Sequence, residues 1–303
     1  MVEPLLLDDA ACARLLPDRT ARAHKGSHGT LACVCGSLDY AGAALLCGMA
    51  AARVGAGLVA LAVPAALQPL LAGRVPELVT LGLPEDAAAA VAAIEARRPS
   101  ALVVGCGLAE DEPRARLVEA LTREGSWPAV VDGGALNLLA RAGDWWSSVR
   151  PGLVLTPHPG EFARLTGQPM DDDDAQRAAS AAEAAARFGQ VVVLKGARTV
   201  IAAPDGRLAR APFENPALAS AGTGDVLAGA IGGLLAQGVE PYEASCLGVY
   251  LQGCAGERIA ERIGDSGLLA SDLPLEMAHV RHQLQRRKGG RGAEVGFGRR
   301  ADG

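Results

Sequence analysis

The sequence predicts an α/β domain in which a mostly parallel sheet is covered by helices. Two observations point there. Short, wholly apolar runs alternate with longer helical stretches along most of the chain, as strands buried on both faces and joined by crossover helices should. Half of the residues are hydrophobic but only 3 % are aromatic. The core must therefore be built from Ala, Val and Leu, which suit helices packed closely on a sheet.

Taken in order, residues 30–34 form a first strand, 42–54 a helix and 57–63 a second strand. Helix 85–97 leads to strand 101–104, helix 113–123 to strand 129–131, and helix 133–141 to strand 153–155. Helix 171–188 leads to strand 191–194. Its acidic run, Asp171 to Asp174, reads as a charged first turn complementing the helix dipole rather than a cation site. Strand 199–202 and the run 208–211 flank Asp205-Gly206, a dipeptide favoured in tight hairpins, so the sheet is mixed. Helices 223–237, 242–263 and 273–285 close the pattern. The 303 residues show no repeat and no linker, giving one domain over 1–285. The Gly- and Arg-rich residues 286–303 read as a disordered tail.

The net charge is -5 and the basic residues are scattered, so nucleic-acid binding has little electrostatic support. No run of eighteen apolar residues exists to span a membrane, and no positive charge opens the chain as a secretory signal would. The seven cysteines are spread out and read as reduced thiols of a cytoplasmic protein. Cys33 and Cys35 share one face of a strand, which is not a zinc spacing.

Six segments sit at strand carboxyl ends, where open α/β sheets bind ligands. Gly222-Thr223-Gly224-Asp225 opens a helix, whose free N–H groups and dipole make an anion site. Asp225 there is either a cap or a base taking a proton from an attacking hydroxyl. Lys195-Gly196-Ala197-Arg198-Thr199 suits nucleotide phosphate or ribose. In Thr156-Pro157-His158-Pro159-Gly160-Glu161 two prolines stiffen the loop around His158, while capping explains Glu161 alone. Gly36-Ser37 with Tyr40 to Ala44, Gly105-Cys106-Gly107-Leu108, and Asp132-Gly133-Gly134-Ala135-Leu136-Asn137 complete one rim of one sheet.

Over 25–285 the order of motifs resembles the ADP-dependent NAD(P)H-hydrate dehydratases of the ribokinase-like superfamily. The resemblance rests on His24-Lys25-Gly26-Ser27-His28-Gly29, on Thr156 to Glu161, and on Asn215-Pro216 leading into Gly222 to Asp225. Related vitamin-precursor kinases usually carry Asn where His158 stands. The resemblance implies a ribokinase-like three-layer α/β/α fold. It also implies a repair reaction that dehydrates NAD(P)H hydrate, with ADP as phosphoryl donor, Mg2+ as cofactor, and AMP and phosphate as products.

Carried over residue by residue, Asp225 is catalytic and meets the reacting hydroxyl. Lys195, Gly196, Ala197, Arg198, Thr199, Gly222, Thr223 and Gly224 bind the nucleotide. Ala43, Gly107 and His158 contact the hydrate, with Asp132 in support. Glu161 holds magnesium through water. The resemblance further implies a cytoplasmic tetramer, and with so few residues before His24 no epimerase domain is expected here. Relatives often carry Asp where this chain has Gly134. The expectation is that Asp132 serves alone, that water fills the vacated volume, and that Gly134→Asp is tolerated.

Overall fold

Apolar runs become strands here because both faces of the sheet are covered. In the computed structural model residues 3–20, 22–169 and 173–290 are described. In chain order the elements are β1 (Leu5–Leu6), α1 (Asp9–Leu15), β2 (Thr30–Val34), α2 (Ala41–Arg53), β3 (Leu58–Pro64), α3 (Gln68–Leu71), β4 (Val79–Leu83), α4 (Ala87–Glu95), β5 (Ala101–Val104), α5 (Glu112–Arg123) and β6 (Ala129–Val131). There follow α6 (Gly133–Ala140), β7 (Leu153–Leu155), α7 (Pro159–Thr166), α8 (Asp174–Phe188), β8 (Val191–Leu194), β9 (Val200–Ala202), β10 (Leu208–Arg210), α9 (Thr223–Ala236), α10 (Pro241–Ile263) and α11 (Leu273–Gly290).

The strands form one sheet in the order β1-β10-β9-β8-β7-β6-β5-β2-β3-β4. All neighbours are parallel except β9, which runs against both β8 and β10. The hairpin read from Asp205-Gly206 is therefore present. Successive residues of a strand point to opposite faces, and the core divides accordingly. Leu31, Cys33 and Cys35 join α2, α9, α10 and α11 on one side. Ala32 and Val34 join α4, α5, α6 and α8 on the other. This is the expected three-layer α/β/α arrangement.

Short or half-exposed pieces escaped the sequence reading: β1, α1, α3 and the edge strand β4, whose first four residues are only partly buried. The expected boundary at 285 is corrected. Helix α11 continues to Gly290, and its last turn is docked. Arg287 pairs with Asp9 at 2.8 Å, and Lys288 donates to the Leu16 carbonyl at 2.8 Å and to Asp18 at 2.7 Å. Composition favoured a solvated end, but basic side chains with fixed acceptors extend the helix. Residues 291–303 of the expected tail lie outside the described residues.

The helix bearing Asp225, α9, lies directly on α2. A Cβ at Gly229 would fall 2.1 Å from the Cys47 carbonyl, and one at Gly233 would fall 2.8 Å from the Ala51 Cα and carbonyl. Small residues let the two backbones touch, and that contact sets the height of α9 over the sheet. Gly229→Ala is expected to destabilise the protein by about 1–3 kcal/mol, as overpacking does, because the obstacle is backbone and cannot rotate away. Thermal or urea unfolding checks this, and an unchanged midpoint would show that the helices separate freely.

Candidate active site

The first turn of α9 is shaped by Gly222, which sits at φ +87°, where a Cβ would strike Leu46 at 2.6 Å. No side chain caps this helix, so its first N–H groups stay free for an anion. The cap reading of Asp225 is thereby excluded: Gly222 is the N-cap, and Asp225 stands in the first turn with its carboxylate toward Cys106 and Asp132. Thr223 does not point outward. Its hydroxyl donates to the carbonyls of Leu218 at 2.8 Å and Ser220 at 2.9 Å, fixing the turn.

Asp225 faces Asp132, at the end of β6. Asp132 is buried, and its Oδ1 accepts from Lys195 Nζ and from Thr156 Oγ1, each at 2.7 Å. Lys195, at the end of β8, also lies 3.8 Å from Glu161 Oε2. Burial pulls the Lys195 ammonium toward neutrality, but Asp132 and Glu161 outweigh that and raise its pKa. Asp225 has no such cation to itself. Burial first, and the Asp132 charge second, push its carboxyl up to about 6, with Cys106 and Lys195 offsetting only part. Cys106 Sγ approaches Asp132 Oδ2 at 3.6 Å.

His158 is the N-cap of α7. Its Nδ1 accepts from the Gly160 N–H at 3.0 Å and the Glu161 N–H at 3.4 Å, while Glu161 Oε2 accepts from the His158 N–H at 2.8 Å. The reciprocal cap explains both residues, where sequence alone explained only Glu161. The His158 ring remains half exposed, with Nε2 3.5 Å from Glu161 Oε1. It is joined through Glu161 and Lys195 to Asp132.

Beside this chain of charges lies a cavity of about 420 Å³ lined by Lys195, Gly196, Ala197, Thr199, Thr223 and Gly224, within the range of small-molecule sites. Its far walls, including Phe213, Leu218, Gln252 and Gly253, come from α10 and the loop before α9. The sequence marked none of these four, because apolar residues and a glutamine inside a helix carry no motif. Asn215 and Pro216 line it too.

Two expected nucleotide residues stand apart. Arg198 is held in ion pairs with Asp174 and Glu214, and Gly222 packs on Leu46. Asp174 is thus an anchor for Arg198, and Asp173 caps α8 through Gln176 N at 2.9 Å; Asp171 and Asp172 lie outside the described residues.

Ala43 and Gly107 meet. Gly107 has φ +61°, and a Cβ there would lie 2.6 Å from that of Ala43 and 2.8 Å from that of Tyr40. They adjoin Cys106, so Asp225 has the cavity on its Gly224 side and this turn on its Cys106 side. The His24 to Gly29 motif does not reach the rim. It forms a turn before β2, at the opposite end of the sheet, where Gly57 N donates to the His28 carbonyl at 3.0 Å.

The expectation for Gly134 is overturned. A Cβ at that position would fall 2.4 Å from the Leu108 carbonyl oxygen, so no vacated volume exists beside it. Gly134→Asp should cut turnover more than tenfold and lower the melting temperature, and tolerance in both assays would show that α6 shifts freely.

A glycine turn with free N–H groups, a nucleotide-sized cavity and a buried carboxylate meet at the carboxyl edge of a mostly parallel sheet, in a domain of the ribokinase-like fold. The same fold occurs in a ribokinase-like superfamily protein from Enterococcus faecalis, with a TM-score of 0.80 at 24 % identity over 93 % of this chain and 96 % of that one. The chain belongs to the NAD(P)H-hydrate dehydratase family, whose model matches residues 31–277.

It is 42 % identical over 288 residues to the bifunctional NAD(P)H-hydrate repair enzyme of Moorella thermoacetica, covering 92 % of this chain and 54 % of that protein. The chain thus spans about half the length of that relative. The ADP/ATP-dependent NAD(P)H-hydrate dehydratase of Bacillus subtilis, crystallised with ATP and Mg2+, is 32 % identical with a TM-score of 0.80. That match covers 94 % of this chain and all of that one.

Asp225→Asn is expected to stabilise the fold at pH 8 and to have little effect near pH 4. The folded-state pKa is raised from 3.8 to about 6, so the penalty grows as pH rises between those values, is complete above about 6, and is small near pH 4, where only part of the unfolded state has ionised. The gain is at most about 3 kcal/mol, from roughly two pKa units. Melting temperatures of both proteins across that range test it, and equal values at pH 8 would remove the buried charge from the account.

Proposed function

We propose that this chain dehydrates NAD(P)H hydrate at the expense of ADP, releasing AMP and phosphate. One observation carries the reading: Asp225, free of any cap, stands between the nucleotide-sized cavity and the Cys106–Gly107–Ala43 turn. Family membership and the Bacillus subtilis likeness support it.

In this reading the nucleotide occupies the cavity, with its phosphates at the N-terminus of α9 beside Gly224 and Lys195. The hydrate lies against Ala43, Gly107 and His158, its ring hydroxyl at Asp225. The ionised carboxylate takes the hydroxyl proton as the oxygen attacks the terminal phosphorus of ADP and AMP leaves. Hydroxide is a poor leaving group and phosphate a good one. The ring nitrogen lone pair then expels phosphate, and loss of a neighbouring ring proton restores the dihydropyridine.

The donor set fits magnesium in one manner only. Asp132 Oδ1 is taken by Lys195 and Thr156, leaving hard carboxylate oxygens but no all-protein cage, which suits an ion brought in on nucleotide phosphates and held through water. Glu161 would hold it, and the ion would offset phosphate charge. No helix among the described residues is long and apolar enough to cross a membrane; a cytoplasmic setting and tetrameric assembly belong to this proposal.

The test is recovery of NADH absorbance from NADH hydrate with ADP and Mg2+. Asp225→Asn should lose turnover by ~10²-fold or more, the scale for a general base, and keep ADP affinity. In the parent enzyme kcat/KM should rise with pH through about 6 and then level, because the base must be ionised, and the Asn variant should lack that limb. His158→Asn should raise the KM for hydrate and spare ADP binding. An intact hydrate alongside phosphorylation of a vitamin-precursor alcohol would instead mark a kinase.

A further inference from the structure

Cys33 and Cys35 lie on one face of the β2 end, a spacing that by itself offers no metal site. The fold adds two more thiols to that face. Cys47 comes from α2 and Cys106 from the turn after β5, and all four are fully buried in the same layer of the core. The Sγ atoms of Cys35, Cys47 and Cys106 all lie within 4.8 Å of one another. Three sulfurs each about 2.3 Å from a central cation would stand roughly 4 Å apart, so the cluster needs at most a small contraction to become a trigonal thiolate set. Nothing in the proposed reaction uses Cys35 or Cys47.

The cluster also has a way in. Cys106 Sγ belongs to a second group, lying within 4.8 Å of carboxylate oxygens of both Asp132 and Asp225. Asp225 is only partly buried, and it flanks the nucleotide cavity. A cation drawn to the two carboxylates therefore meets a sulfur at their back, and behind it two more.

We propose that Cys35, Cys47 and Cys106 form an inhibitory site for a thiophilic d10 cation of the Cu(I), Zn(II) or Cd(II) class, entered from the active-site carboxylates. Soft thiolates select such ions, whereas Mg2+ prefers oxygen. Binding replaces three S–H bonds by three metal–sulfur bonds and releases three protons to solvent, with no change of oxidation state. Burial and mutual thiol contacts hold all three thiols protonated without the ion, so affinity must climb steeply with pH. Three protons leave for one cation, so the ligated cluster is anionic, and Cys106 can no longer donate toward Asp132. Drawing the three sulfurs together also shifts the Cys106–Gly107 turn that flanks Asp225, and turnover falls.

Cd2+ is the probe, titrated into the reduced, metal-free protein. The expected result is one equivalent bound per chain, with the ultraviolet sulfur-to-cadmium charge-transfer band and about three protons released. Cys35→Ala and Cys47→Ala should fold, keep basal hydrate turnover, lose the band, and need at least tenfold more Cd2+ for inhibition. The binding arm reads the site even if hydrate is not the substrate, because band and proton count do not involve turnover; absence of turnover in the untreated parent would count against the proposed reaction alone. Three outcomes overturn the site: no charge-transfer band in the parent, a band that survives in both alanine variants, or a disulfide found by mass spectrometry in place of bound metal.

Discussion

The structure turns on a problem of buried charge. Asp132, Glu161 and Lys195 are all drawn into the carboxyl edge of the sheet, where unpaired charges are costly. Lys195 resolves it by bonding Asp132 and facing Glu161. Three strands, β6, β7 and β8, must then end at the same level, because each delivers one member or its supporting loop. Thr156 completes the set from the end of β7 by donating to the same Asp132 oxygen.

Asp225 is the group this arrangement leaves uncompensated. It shares Lys195 with two other carboxylates and lies in partial burial, so its pKa rises to about 6. A base near the working pH combines a useful fraction of ionised form with real affinity for a proton. Lys195 thereby neutralises the neighbours and leaves the Asp225 carboxylate only partly compensated. The glycine-mediated contact of α9 with α2 holds that carboxylate at a fixed height, which matters because base and substrate must meet within hydrogen-bond reach.

His158 and Arg198 show how one residue's role shifts when its partners become visible. His158 was singled out because two prolines stiffen its loop; the stiffness is real, and its mechanism is a reciprocal cap with Glu161. The resemblance places Arg198 at the nucleotide with Lys195 and the rest of 195–199. In the fold its guanidinium pairs with Asp174 and Glu214, which braces the loop. Neighbours in sequence on a tight turn point in different directions, and only one of the two reaches the cavity.

The sequence by itself determined the layered fold, because apolar runs bounded by glycine turns can be buried in few ways, and the Asp205-Gly206 hairpin fixed the one reversed strand. It also marked which strand ends meet at one rim, since glycine turns, a lysine at a strand tip and a proline-framed histidine are local signals. The tertiary structure alone decided the ion cluster, the apolar cavity walls from α10, the backbone contact that denies Gly134 a side chain, and the meeting of Cys35, Cys47 and Cys106. Each joins residues far apart in the chain whose local patterns are unremarkable. Pairing of buried charges, closeness of backbones and convergence of sulfurs are properties of distance in space, which spacing along the chain does not encode.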